Sequence, residues 1–144
     1  IVYANRDTLR ASLFPGRAVV GADGAIELRR GLDGHFSADL VVNGAPIRFL
    51  VDTGASDVVL SARTAERVGI AVNRLSFDRP GYSASGYVRA ASARVDRLTI
   101  GPIVRQEMPV SVLAGEVDVN LLGMRFLRSL SGWRVEKDTL ILQS

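Results

Sequence analysis

One carboxylate in this chain has sequence neighbours that favour chemistry. Asp52 follows the apolar run Phe49-Leu50-Val51, opens the tight turn Asp52-Thr53-Gly54, and is followed by a second apolar run, Val58-Val59-Leu60. This pattern predicts a carboxylate buried at the end of a core strand. Burying a charge is costly unless hydrogen bonds or a shared proton compensate for it. The pattern therefore indicates that Asp52 is used in a reaction.

The other residue types limit which additional chemistries are open to the chain. It has no cysteine and a single histidine, His35, which excludes thiolate nucleophiles and a multi-histidine metal site. A serine hydrolase would have to use His35, but the sequence lacks the Gly-x-Ser-x-Gly turn of that class. The 18 basic and 15 acidic residues are interspersed and only 6% of residues are aromatic, so nucleic-acid binding is not favoured. We expect neither a metal nor a nucleic-acid partner.

Short apolar segments separated by turn residues must position Asp52. The 144 residues predict one domain, residues 17–144, preceded by an N-terminal arm, residues 1–16. Asn43-Gly44 predicts a hairpin, and Ser61 and Gly69 are expected to cap a short helix between them. A second short helix is expected over Met124–Leu130. The predicted strands are Arg17–Val20, Ile26–Arg29, Phe36–Val42, Pro46–Val51, Met108–Leu113, Trp133–Val135 and Thr139–Leu142, with an alternating region over Tyr82–Ile100. The last two strands flank Glu136-Lys137-Asp138 and are predicted to form a closing hairpin, and a loop is predicted at residues 114–116. Many short strands indicate a small β-barrel or sandwich.

Two of these segments resemble the motifs of a known enzyme class. Leu50 to Ser56 resembles the active-site signature of aspartic proteases, and Leu121-Leu122-Gly123-Met124 resembles their second hallmark, an apolar pair and a glycine before a short helix. More closely, residues from about Gly34 to Leu142 resemble the bacterial retropepsin-like proteases, single-domain relatives of the retroviral enzymes. The resemblance implies an all-β fold, the retropepsin-like closed β-barrel of acid proteases, with one or two short helices.

The resemblance also implies roles for the motif residues. In aspartic proteases two carboxylates share one proton, so that the ionised acid activates water and the protonated acid polarises the scissile carbonyl. Asp52 would be the catalytic acid, and no cofactor is needed. Thr53 would bond across to a partner loop, and Gly54 would let the backbone approach the carboxylate. The remaining supporting positions are Ala55, Leu122 and Gly123, with the strand before Gly123 packed behind the aspartate loop.

The number of aspartate motifs predicts the oligomeric state. Asp23-Gly24 and Asp33-Gly34 lack the apolar lead-in, and Asp138-Thr139 is followed by Leu140 instead of glycine. One motif cannot supply two acids, so an active enzyme would need two chains. The sequence therefore predicts a homodimer with Asp52 of each subunit on a two-fold axis, acting on a polypeptide substrate.

The segment Tyr82–Tyr87 lies where relatives carry the flap, a hairpin that closes over the substrate. Its candidate substrate-binding residues are Ser83, Ala84, Ser85 and Gly86, whose small side chains suit a mobile tip. Relatives usually have Thr-Ala-Asn-Gly at this point, so Ser85 replaces the asparagine. The alternative is a plain surface hairpin.

Other interpretations of the chain stay open at this level. Asp52 could be a turn acid that only caps backbone N–H groups. The whole domain could be a retropepsin-fold binding or dimerisation module with little or no hydrolysis. His35 and Trp133 are expected to be structural, with Trp133 in the core or an interface. Relatives often carry a hydrophobic segment before this domain. One expectation for the location of the protein is therefore tethering to a bacterial membrane through such a segment, which is absent from this chain.

Overall fold

The computed structural model describes residues 18–83 and 86–144. The predicted N-terminal arm, residues 1–16, and flap residues Ala84 and Ser85 lie outside these ranges. The strands are β1 (Val19–Val20), β2 (Ile26–Arg29), β3 (Ser37–Val42), β4 (Ala45–Val51), β5 (Val58–Ser61), β6 (Arg79–Ser83), β7 (Gly86–Ile100), β8 (Ile103–Leu113), β9 (Leu121–Leu122), β10 (Gly132–Glu136) and β11 (Thr139–Gln143). The helices are α1 (Ala62–Arg67), α2 (Met124–Arg128) and a 3-10 turn over Val72–Arg74. Within the described ranges, no helix is long and apolar enough to cross a membrane.

The larger sheet closes on itself. Strands β3, β4, β9, β5, β8 and β7 pair in that order, and β3 also pairs with β7 through Val41–Thr99 and Val42–Leu98. The expected all-β fold with short helices is confirmed, and the predicted closure takes the form of this six-stranded ring. Strand β6 extends the sheet beyond β7, and the two strands form a hairpin, which we call the flap hairpin because it contains the predicted flap segment Tyr82–Tyr87.

A smaller sheet holds the two ends of the described chain together. Its strand order is β1-β2-β11-β10, so the C-terminal strand β11 lies between β2 and its own hairpin partner β10. This hairpin was predicted from the apolar segments on either side of Glu136-Lys137-Asp138. Trp133 lies on β10 and is 37% exposed, so it is not a core residue of the single chain.

The core fills the space enclosed by the ring. Alternate residues of β3, namely Ala38, Leu40 and Val42, point inwards and are buried. All four residues of β5 are buried because this strand lies between β9 and β8. Full burial of a large apolar side chain contributes roughly 1.5–3 kcal/mol relative to an exposed one. The largest of the buried side chains include Phe49, on the strand that leads to Asp52, and Phe126, on α2.

Local turn chemistry agrees with the sequence. Asn43 and Gly44 have φ angles of 48° and 84°, which are the left-handed values needed for the tight hairpin between β3 and β4. The Ser61 hydroxyl accepts a hydrogen bond from the Thr64 N–H at 3.1 Å and caps α1. The C-cap of α1 is Val68, and Gly69 follows it with φ 92°. Gly69, the expected C-cap, is therefore one residue beyond the observed cap, where its left-handed conformation ends the helix.

Candidate active site

Asp52 lies immediately after β4, where three strands meet. Residues Leu50 and Val51 pair in parallel with Leu121 and Leu122 of β9, and the Asp52 N–H donates to the Leu122 carbonyl at 3.1 Å. The Gly54 N–H donates to Asp52 Oδ1 at 2.8 Å. These two bonds fix the turn that presents the carboxylate.

The structure corrects the predicted burial of this acid. Asp52 is half-buried in the single chain, and the neighbouring residues Thr53 and Gly54 are exposed. Phe49 and the run Val58-Val59-Leu60 are buried, but Leu50 and Val51 are only partly buried and the turn itself reaches the surface. The hydrogen bond from Gly54 also means that Asp52 does cap a backbone N–H group, which is the local role considered as an alternative.

Gly54 allows a close approach between the backbone and the carboxylate. A Cβ atom at this position would lie 3.1 Å from Asp52 Oδ1, closer than most such contacts. The next residue, Ala55, donates from its N–H to the Asp52 carbonyl at 3.1 Å. The chain thus turns tightly around the carboxylate, in the manner predicted from the glycine.

Gly123 packs directly against the loop that follows Asp52. A Cβ atom there would lie 2.3 Å from the Asp57 carbonyl oxygen and 2.5 Å from that of Ala55, so only glycine fits. Beyond it, the Met124 N–H donates to Ala55 O and the Arg125 N–H donates to Ser56 O, both at 2.8 Å. The preceding residue Leu122 is fully buried. The second hallmark thus lies behind the Asp52 loop and supports it from the core side.

Asp52 and the flap line one cleft. The cleft has a volume of about 820 Å³, and its walls are Leu50, Asp52, Tyr82, Ser83, Val88, Leu121 and the loop residues 114–119. Among the predicted substrate-binding residues, Ser83 lines the cleft, and Gly86 pairs with it at the end of the hairpin. Ala84 and Ser85 fall outside the described residues. Thr53, Ala55, Leu122 and Gly123 do not line this cleft, and their supporting role stays a prediction.

Sequence reasoning missed one wall of the cleft. The sequence predicts only a loop at residues 114–116, yet Ala114 to Val119 line the cleft, with Glu116 and Asp118 among them. The sequence signal that could have indicated this wall is the position of the loop, which connects β8 to the short strand before Gly123. His35, by contrast, is exposed and is not a lining residue; its backbone closes the turn around Asp33 and Gly31.

The glycine at the flap hairpin provides a test of this site. Gly86 has φ 116°, a value that side-chain-bearing residues rarely adopt, although a Cβ atom would meet nothing within 4 Å. We expect Gly86→Val to strain the flap backbone without a steric clash, lowering kcat/KM for peptide cleavage about tenfold or more while the core stays intact. The measurement is kcat/KM beside the thermal midpoint. Unchanged efficiency would remove the flap from the active site.

Comparison with known proteins agrees with this geometry. A family model described as gag-polyprotein putative aspartyl protease matches residues 38–129, which include Asp52, the flap strands and Gly123. The chain belongs to this family. Because the match covers the ring of strands and both hallmark motifs, the resemblance seen in the sequence is confirmed.

Two bacterial relatives extend over most of the chain. A protein of Sinorhizobium sp., described as uncharacterised and in the cobV 5′ region, is 37% identical over 146 residues, 98% of this chain. An uncharacterised protein of Rickettsia prowazekii (strain Madrid E) is 38% identical over 119 residues, 83% of this chain. The alignments span 62% and 51% of these relatives, so both are considerably longer than the matched region.

Solved structures share the retropepsin-like fold. A retropepsin-like aspartic protease from Rickettsia conorii superposes with a TM-score of 0.75 at 37% identity, covering 83% of this chain and 89% of that one. The protease of EIAV, solved with the inhibitor HBY-793, superposes with a TM-score of 0.59 at 22% identity, covering 74% and 97%. The second likeness shows the fold alone. The aspartyl protease family member described here therefore has the retropepsin-like fold.

Proposed function

We propose that the protein is an aspartic endopeptidase that uses Asp52 to activate water. The observation that carries this proposal is the shared cleft, in which Asp52 lies at one wall and the flap strands at another. The support from Gly123 and the bond from Gly54 hold the carboxylate in a defined orientation. Membership of the aspartyl protease family and the fold of the Rickettsia conorii enzyme support the same assignment.

The proposed enzyme is a homodimer. The described chain offers one aspartate in the motif setting, and the reaction requires two acids that share a proton. Thr53 and Gly54 are exposed beside Asp52, so the surface next to the carboxylate is accessible to a second copy of the turn. Two copies related by a two-fold axis would bring the two Asp52 side chains together and enclose the substrate between two flaps.

The proposed reaction moves two protons and cleaves one bond. The ionised Asp52 takes a proton from water while the water oxygen bonds to the peptide carbonyl carbon. The protonated Asp52 of the other subunit gives its proton to the carbonyl oxygen. The tetrahedral intermediate collapses as its C–N bond breaks, the amine nitrogen receives a proton from one acid, and the second proton returns to the pair. No metal or cofactor enters these steps.

The substrate is proposed to be an extended polypeptide. The cleft combines apolar walls, including Leu50, Val88 and Leu121, with polar groups at the flap and on the loop of residues 114–119. Such a mixture suits apolar side chains held in place by a few polar contacts to the peptide backbone. A compact globular substrate would not fit a cleft of about 820 Å³.

The decisive experiment is cleavage of a peptide library by the purified protein from pH 3 to pH 8. We expect the highest rate in mildly acidic solution, because the shared-proton state needs one neutral and one ionised acid and is lost as the pH rises. A rate that climbs steadily through pH 8 would contradict this mechanism. A folded dimer without cleavage at any pH would instead favour the binding or dimerisation module.

A further inference from the structure

Four polar side chains outside the cleft form a network near the base of the flap. They are Asp57, Arg79, Ser111 and Arg125, and none of them lines the cleft that contains Asp52. The Ser111 hydroxyl donates to Asp57 Oδ2 at 2.7 Å and accepts from an Arg79 NH2 group at 2.8 Å. Ser111 is 6% exposed, so this hydroxyl has few other partners available and links the arginine to the carboxylate.

The Asp57 carboxylate is the centre of this network. Besides the Ser111 hydroxyl, it faces Arg125 Nε at 3.3 Å and Arg79 Nη1 at 3.8 Å. Its side chain is 25% exposed, compared with 41% for Arg79 and 51% for Arg125. A partly buried carboxylate with several donors is more strongly held than an isolated surface ion pair. The network is thus anchored at Asp57.

The network adds side-chain contacts between the Asp52 loop, β8 and β6, of which β6 and β8 are not direct neighbours in the sheet. Asp57 belongs to the loop that begins at Asp52, and its carbonyl packs on Gly123. Ser111 lies on β8, which pairs with β5 and β7. Arg79 is the first residue of β6, the outer strand of the flap, which pairs with β7 alone among the described strands. The arginine therefore ties the flap to the loop that carries the candidate catalytic acid.

Among the residues that the structure describes, the flap hairpin has few other side-chain ties to neighbouring segments. On the return strand, Arg89 Nε donates to the Phe77 carbonyl at 2.6 Å, which fixes the chain just before β6. Near the tip, Tyr82 and Tyr87 contact each other edge to face but are 77% and 60% exposed. Arg79 keeps its place although its Nε atom is buried and has no hydrogen-bond partner among the described residues. The contacts of its NH groups must offset that cost.

We propose that Arg79 is a positioning residue, which holds the flap at a fixed height over Asp52 through Ser111 and Asp57. Without this tie, β6 keeps only its pairing with β7, and we expect the hairpin to open more often and the width of the cleft to vary. The consequence for catalysis rests on the proposed function, because flap position matters only if the cleft binds a substrate. The tie itself is a property of the fold and can be measured separately.

The test is Arg79→Met, which keeps an unbranched apolar stem and removes the guanidinium. Hydrogen exchange of backbone amides in residues 81–83 and 86–90 is measured in the full chain, with the β10–β11 hairpin as an internal reference. We expect flap exchange to rise about threefold or more, the size expected for losing a partly exposed charged network, and the reference to stay constant. In peptide cleavage, KM should rise more than kcat falls, because the flap holds the substrate.

The matched control is Arg48→Met. Arg48 forms a bidentate pair with Asp39, at 2.8 and 2.9 Å, on the β3–β4 hairpin and away from the flap. The hydrogen bond to Asp39 raises the pKa of Arg48 above its ordinary value. Removing the Arg48 guanidinium should leave the hydrogen exchange of the flap amides unchanged. Ser111→Ala should raise flap exchange, and the double variant Arg79→Met/Ser111→Ala should show less than the product of the two single effects.

The outcomes separate this proposal from the proposed function. Unchanged flap exchange in Arg79→Met, or an equal rise in the reference hairpin, overturns the positioning role. Faster flap exchange in a protein that cleaves no peptide supports the tie and contradicts the protease assignment. If Arg79→Met does not fold, Arg79→Lys provides the same measurement, since lysine keeps the charge but cannot bond to Ser111 and Asp57 with a fork of N–H groups.

Discussion

Asp52→Asn is expected to abolish peptide hydrolysis while the fold stays intact. The amide keeps the shape of the carboxylate, and its carbonyl oxygen can still accept from the Gly54 N–H. It cannot take a proton from water. A positioned general base contributes roughly 10²–10⁴-fold to the rate, and we expect the rate to fall by at least that factor. The measurement is the initial rate of peptide cleavage beside the circular dichroism spectrum. If the residual rate stays within about tenfold of the parent rate, the loss is smaller than a general base would cause, and Asp52 does not act as the base.

The chain contains a matched control for this substitution. Asp33 makes the same local turn, with its Oδ1 accepting from the N–H two residues later, His35, at 3.0 Å. It is exposed and does not line the cleft. Asp33→Asn should therefore leave the rate within about twofold of the parent, because exposed substitutions rarely shift stability by more than about 0.5 kcal/mol. An equal loss in both variants would indicate a damaged fold.

The Asp52→Asn variant also tests whether the active site is shared between two subunits. When wild-type and Asp52→Asn subunits exchange freely, dimers with two intact acids form as the square of the wild-type fraction. Activity per wild-type chain should then fall in proportion to that fraction as mutant is added. Tagged subunits verify the exchange. Constant activity per wild-type chain despite exchange would mean that each chain carries a complete site, contrary to the proposed homodimer mechanism.

Gly123→Ala is expected to be the most destabilising small substitution in this region. The new Cβ atom would lie 2.3 and 2.5 Å from two carbonyl oxygens, both of which are backbone atoms that cannot rotate away. Relief requires the Asp52 loop and β9 to separate, which weakens the bond from the Asp52 N–H to Leu122 O. Overpacking of a tight core costs about 1–3 kcal/mol and occasionally more, and we expect the upper end or beyond. Urea unfolding provides the free energy.

Gly132→Ala is the control for this prediction. A Cβ atom at Gly132 would approach only the side-chain oxygen of Gln143, at 3.2 Å, and this flexible side chain can move. We expect a change within about 1 kcal/mol, since replacing glycine by alanine at a compatible position has effects of that size. Similar unfolding free energies for the two variants would show that the Gly123 contact is loose and does not support the Asp52 loop.

Local signals predicted much of the fold but not the way its parts meet. The Asn43-Gly44 turn, the Ser61 cap and the C-terminal hairpin all depend on a few neighbouring residues, and the structure has each of them. The strand Leu121–Leu122 has only two residues, and its place between β4 and β5 is set by pairings distant in sequence. No local pattern encodes such pairings; only the family resemblance indicated that this segment packs behind the Asp52 loop.

The candidate site shows the same division. Asp52 and Gly54 could be identified because a tight turn between apolar runs is a local pattern. The cleft wall at Glu116 and Asp118 depends on ring closure, and the contact of Arg79 with Ser111 depends on the register of the flap against β8. The exposure of Asp52 could not be predicted either, because the apolar lead-in describes the strand and not the turn that follows it.

Strand β6 carries a proline, Pro80, next to Arg79 on the outer side of the flap hairpin. An outer strand offers backbone groups to any passing chain and is a common starting point for aggregation. Proline has no N–H group, so it removes one donor from such an edge and interrupts a continuous ladder. The residues towards the tip, Gly81 to Ser83, keep their donors. Under the proposed function, this proline protects the base of the flap hairpin from unwanted pairing with other copies, while Tyr82 and Ser83 line the cleft that would bind an extended peptide.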